Sequence, residues 1–174
     1  MKLVLTLIMA SIGARAAPAY PIEIPGSNAN TEMQSFIVDS SGNLALACLS
    51  SDLSIVASAN TNIVLYWPVS ASDWAWTKQL SGVNNEVLAD MQLSQSNSAK
   101  LAVIYESSLL VVFDTSNGAI VEAHTQPKMT CSLGCSMVYG APWLLMFGVY
   151  TDSGQEYFGF TYYVPETSIP TRYV

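Results

Sequence analysis

One histidine, three cysteines and four tryptophans are the side chains through which this chain of 174 residues could do chemistry. His124 could act as a general base, but no serine or cysteine around it stands in a recognisable nucleophile motif, so a structural histidine is the better account. Asp114 and Asp152 could hold calcium through their turns. Neither belongs to a loop with ligands at alternating positions, and both read as turn-forming aspartates. Trp67, Trp74, Trp76 and Trp143 could line a groove, yet large aromatics on strands more often fill the space between sheets, and all four are expected in the core.

Cys131 and Cys135, separated by Ser-Leu-Gly, could close a small loop, and Cys48 could instead reach either of them across neighbouring strands. With three cysteines one stays unpaired whatever the bridge. Three thiols and His124 lack the paired close spacings of a structural zinc site. The residues thus point to no catalytic group, no cofactor and no metal, with a Cys131–Cys135 disulfide as the candidate site.

Composition bounds the partners. The sequence carries 13 acidic against 6 basic residues, a formal charge of −7, and offers no basic patch to neutralise phosphates, which excludes nucleic acid. Hydrophobic residues make up 51% and charged residues 11%, rich for a soluble monomer, so apolar surface is expected to be covered or shared. Residues 1–16 read as a secretory signal: Lys2, an apolar run from Leu3 to Ile12, and the small-x-small site Ala14-Arg15-Ala16. Its removal leaves 4 bases against 13 acids, a net of −9. No later apolar run reaches membrane-spanning length, and the end Arg172-Tyr173-Val174 carries no retention tetrapeptide. The expected compartment is the endoplasmic reticulum lumen or the outside of the cell.

The elements that must position these residues are organised around Lys100 to His124, KLAVIYESSLLVVFDTSNGAIVEAH, which reads as antiparallel strands with turns at Glu106-Ser107-Ser108 and Asn117-Gly118. Residues 17–34 form an extended lead-in and Ser35 to Asp39 an isolated strand. Strands then come in fours. The first set is Leu44 to Leu49, Ile55 to Ser58, Ile63 to Trp67 and Asp73 to Lys78. The second is Val87 to Leu93, Lys100 to Tyr105, Leu109 to Asp114 and Ala119 to His124, with a polar turn from Ser94 to Ser98. The third is Met129 to Tyr139, Pro142 to Val149 and Tyr157 to Tyr163, its fourth strand missing or irregular. Asp152-Ser153-Gly154 turns its last hairpin.

Asn62-Ile-Val-Leu-Tyr-Trp lines up with Ser108-Leu-Leu-Val-Val-Phe 46 residues on, and Glu156-Tyr-Phe-Gly-Phe-Thr follows after a further 48. Four strands repeated at a period in the forties are the signature of a β-propeller blade. The expectation is therefore all-β: a partial β-propeller of four-stranded antiparallel blades over residues 35–166, about two complete blades plus partial ones, with residues 167–174 as a tail. A β-sandwich built from the same strands is the alternative.

The stretches GNLALACL from Gly42 to Leu49, LSIVAS from Leu53 to Ser58, Tyr66-Trp67 with Trp76, SMVYG from Ser136 to Gly140 with Trp143, and Gly148-Val149 carry a resemblance. Together they look like the first luminal propeller of the subunit 1 family of the endoplasmic reticulum membrane protein complex. More broadly the blades resemble the pyrroloquinoline-quinone-like repeat of Asp, turn, Gly and closing Trp, here Asp114 to Gly118 with Glu122 where the Trp would stand. The resemblance implies a non-enzymatic luminal scaffold with protein partners, such as subunits of a membrane-protein insertion complex. It also implies departures: most of the family's first blade is absent, Ser35 to Asp39 serving as its possible last strand, and the later blades, luminal carboxy-terminal domain and anchor are missing. The other function carried by such blades, a quinone-dependent dehydrogenase, lacks here its adjacent cysteine pair and any placeable calcium carboxylates.

Overall fold

The computed structural model describes residues 4–5, 22–23, 30–80, 83–94, 99–126, 129–131, 134–140, 143–163 and 170–173. Of the expected signal, only β1 (Val4–Leu5) is among them, paired antiparallel with β2 (Ile22–Glu23) from the lead-in. The cleavage tripeptide and most of the Ser94–Ser98 turn lie outside the described residues.

Every other strand belongs to one of three antiparallel sheets, each laid down in chain order. The first joins β3 (Thr31–Val38), β4 (Leu44–Ser50), β5 (Thr61–Trp67) and β6 (Trp76–Leu80). The second joins β7 (Leu88–Leu93), β8 (Lys100–Tyr105), β9 (Leu109–Asp114) and β10 (Ile120–Thr125). In the third, β11 (Met129–Thr130) and β12 (Ser136–Gly140) share one edge of β13 (Trp143–Asp152), followed by β14 (Gln155–Tyr163) and β15 (Pro170–Tyr173). Thr130 faces Val149 and Ser136 faces Phe147, so β11 and β12 are one strand position interrupted by the loop 131–135.

The first strands of successive sheets, β3, β7 and β12, lie beside one another. Three meanders whose first strands gather at a hub and whose faces stack make part of a β-propeller. Stacking is what stabilises it. Between the first two blades Ala45, Ala47, Val64 and Tyr66 meet Leu101, Val103, Tyr105, Val111 and Phe113 in one buried cluster. Between the second and third, Ala102, Ile104, Leu110 and Val112 meet Met137, Tyr139, Leu144, Met146 and Tyr150. The middle blade is therefore buried on both faces, and at roughly 1.5–3 kcal/mol per large apolar side chain it depends on its neighbours.

Four expectations are corrected. Ser35 to Asp39 is not the remnant of a preceding blade; β3 is the hub strand of the first. Ile55 to Ser58 is no strand, because the Asp52 carbonyl accepts from the Ile55 and Val56 amides and the Asp52 carboxylate from the Ser54 amide and hydroxyl, curling the chain into a turn. The third blade has its fourth strand, β15, in the stretch read as a tail. Met129 to Tyr139 is broken in two by the cysteine loop.

Candidate functional site

The joint between the first two blades is built on a tryptophan and a turn. Asp114 closes β9, and its carboxylate accepts from the Ser116 amide at 2.9 Å, the Ser116 hydroxyl and, at 3.2 Å, the Lys100 ammonium. These bonds, those of Ser116 foremost, hold the carboxyl down at about 2. Trp76, on the outermost strand of the first blade, donates its indole N–H to the Thr115 carbonyl at 2.8 Å. Its ring stacks at 5.6 Å on both Tyr66 and Phe113. Gly118, at φ +68°, lies flat under that ring, and a Cβ there would sit 2.7 Å from it. Only glycine meets both conditions without strain.

Beside this joint opens a polar cleft of about 210 Å³. Asp39, Asn43 and Tyr66 of the first blade form one wall, and Ser94, Lys100 and Thr115 of the second form the other. The Asp39 carboxylate is engaged by its own turn, accepting from the Ser41 and Asn43 amides and the Asn43 side chain. Burial, and then the nearby Asp39 charge, push the Tyr66 hydroxyl up from its ordinary value. These are groups that can hydrogen-bond a small polar molecule.

A second candidate surface is the outward face of the third blade. Register places Val138 beside Leu145, Phe147 beside Phe160, and Val149 beside Phe158 on that face. The Phe147 and Phe160 rings lie 6.0 Å apart. Phe158 is 81% exposed and Val138 52%, on a sheet whose other face is packed against the second blade. The matching face at the far end is closed: Leu46, Cys48, Ile63 and Leu65 of the first blade lie under Val56, with Ile55 and Trp74 packed on the same cluster.

The residues singled out in the sequence fall in separate places. Cys131 and Cys135 are joined in a disulfide with Cα atoms 4.9 Å apart, while Cys48 is a free buried thiol that burial pushes up to about 12. A disulfide belongs with an oxidising compartment. His124 sits on β10, where its Nε2 accepts from the Gln126 amide and its Nδ1 lies 3.8 Å from the Glu122 carboxylate. It is not among the residues lining the cleft. Trp67 and Trp76 are buried and Trp74 half-buried. The side chains of Trp143 and Asp152 lie outside the described residues. Among the described residues, no three His, Cys, Asp or Glu side chains gather as a metal set, and no helix is long and apolar enough to cross a membrane. Sequence reasoning missed the cleft, because its walls come from two blades, and the open face, whose alternation in β13 and β14 is apolar on both sides.

No family model and no curated protein matches the sequence. Among solved structures the chain is similar to "KlHsv2 with loop 6CD replaced by a Gly-Ser linker", at 15% identity and a TM-score of 0.47, over 75% of this chain and 44% of that one. It is also similar to a chain of a mitotic checkpoint complex, at 11% identity and a TM-score of 0.45, over 95% of this chain and 61% of that one. The chain thus spans less than two thirds of either neighbour.

Proposed function

We propose that this chain is a non-enzymatic interaction scaffold of the secretory pathway, a propeller segment whose task is to hold protein partners. The observation that carries this reading is the aromatic outward face of the third blade: three phenylalanines and two valines share one sheet face, and Val138, Phe158 and Phe160 among them are exposed. An exposed apolar patch of that kind marks a place of protein contact. The disulfide supports a luminal or extracellular setting. The seating of Trp76 on the Asp114–Gly118 turn supports the pyrroloquinoline-quinone-like repeat, and with it the resemblance to the luminal propeller of the membrane-protein insertion complex.

Gradient sedimentation of a mild-detergent cell extract tests the reading. The chain is expected in an assembly well above its own 18.7 kDa, and the double substitution Phe158→Ser, Phe160→Ser is expected to return it to the monomer position without loss of its thermal transition. A wild-type chain sedimenting at its own mass overturns the proposal.

A further inference from the structure

The connections inside the first blade differ in length from those of its neighbours. The chain turns over residues 106–108 between β8 and β9, over 115–119 between β9 and β10, and over 153–154 between β13 and β14. The first blade instead places residues 51–60 between β4 and β5, and 68–75 between β5 and β6. These two connections start from opposite ends of the sheet and fold back over the same face. From one end Ile55 and Val56 come down on Leu46, Cys48, Ile63 and Leu65, and from the other Trp74 joins the same cluster, its ring 6.2 Å from that of Trp67. Trp67 follows Ile63 and Leu65 along that face of β5. None of Leu46, Cys48, Ile63 and Leu65 is more than 3% exposed.

The cover is fastened at several points. The Gln79 side chain, reaching from β6, donates to the Ile55 carbonyl at 2.6 Å and accepts from the Ala57 amide at 3.2 Å. The Thr61 hydroxyl donates to the Ser58 carbonyl at 2.6 Å, and the Trp67 indole N–H to the Ala71 carbonyl at 2.8 Å. The stacking order gives the covered face its meaning. In the second blade the corresponding face, Leu101, Val103, Val111 and Phe113, packs against the first blade, and in the third blade Leu144 and Met146 pack against the second. We propose that residues 51–60 and 68–75 are a terminal cap: they make the first blade the end of the series, and no further sheet, of this chain or of another, stacks on it. The blades then form a stack closed at this end, because a ring would need this face to meet another blade. A bare apolar sheet face would adhere to other chains, and the cap turns it into core, as the terminal repeats of a solenoid do for theirs. The inference stands apart from the scaffold reading, which concerns the opposite end.

The test removes the cap from the full chain carrying Phe158→Ser and Phe160→Ser, so that the far end contributes nothing. Ile55→Ser, Val56→Ser and Trp74→Ser are added, and mass is followed by light scattering against concentration. The capped chain is expected to hold one mass throughout, and the uncapped chain to associate through its freed face into dimers or larger species while Cys48 becomes open to alkylation. An uncapped chain that keeps the capped chain's mass although its Cys48 reacts overturns the proposal. Gln79→Ala supplies a milder measurement that does not depend on the triple variant folding. Loss of its two bonds to the cap is expected to speed alkylation of Cys48 in the folded chain about tenfold with the mass unchanged. A rate equal to that of the parent chain would mean that these residues do not guard the face, and overturns the proposal as well.

Discussion

At the scale of single residues, Asp114 shows how one carboxylate organises a turn on which a second blade leans. It collects two bonds from Ser116 and one from Lys100, while the Gly118 amide returns to its carbonyl at 2.8 Å. Because its carboxyl is held at about 2, below the usual carboxylate value, the turn's contribution to stability is complete above about pH 4 and fades as the pH falls toward 2. A carboxyl titration followed by NMR is expected to place the Asp114 midpoint near 2, and Ser116→Ala to move it upward. A midpoint in the ordinary range would show that the hydroxyl and amide bonds do not form in solution. The aspartate and its turn could be read in the chain because Asp-Thr-Ser-Asn-Gly closes locally. That Lys100 reaches it from the neighbouring strand, and Trp76 from another blade, could not.

At the scale of elements, the hub strand of the third blade is the instructive case. Met129 to Tyr139 reads as one strand, yet five residues, 131–135, stand opposite the single residue Gly148 of β13. The excess is gathered into a loop closed by Cys131 and Cys135, which leaves Cys48 alone beneath the cover of the first blade. Alkylation is expected to follow that division: no thiol reacts in the native chain, one reacts after unfolding without reductant, and three react after reduction. Two or three modified thiols before reduction would exclude the bridge. Replacing both bridged cysteines by serine is expected to cost about 2 kcal/mol, the value for so short a closed loop, read by denaturant unfolding. The strand propensities on either side were legible in the residues; the interruption was not, since spacing allows Cys48 as a partner equally well.

At the scale of the whole molecule, stability comes from joints between sheets rather than from the sheets alone, and Gly118 tests that statement. Gly118 and Gly154 both have positive φ, +68° and +78°, but a Cβ at Gly118 would lie 2.7 Å from Trp76 and Lys78 atoms, while none lies within 4 Å at Gly154. Gly154→Ala is expected to cost the left-handed backbone penalty, roughly 1–2 kcal/mol. Gly118→Ala carries that penalty and forces Trp76 from its seat, a further ~1–3 kcal/mol. Equal destabilisation in urea would mean that the two blades are not coupled through this contact. The same logic separates the two ends of the stack: the cover over Leu46 and Ile63 closes one, while at the other Phe158 and Phe160 of β14 are exposed.

What the sequence determined by itself was local. Alternating apolar runs, polar turns and a repeat in the forties specify four-stranded meanders, because strand pairing across short turns depends on residues close in the chain. The middle blade was read to within a residue or so of each strand end. Only the tertiary structure decided which run is a hub strand, since Ser35 to Asp39 differs from an isolated strand solely by what packs beside it. It also turned Ile55 to Ser58 from a strand into a cover, because the Asp52 turn outweighs β-branched propensity where a bare sheet face lies beneath. The open face was decided there too: whether an apolar strand is core or surface depends on its neighbour, and that neighbour is not written in the strand.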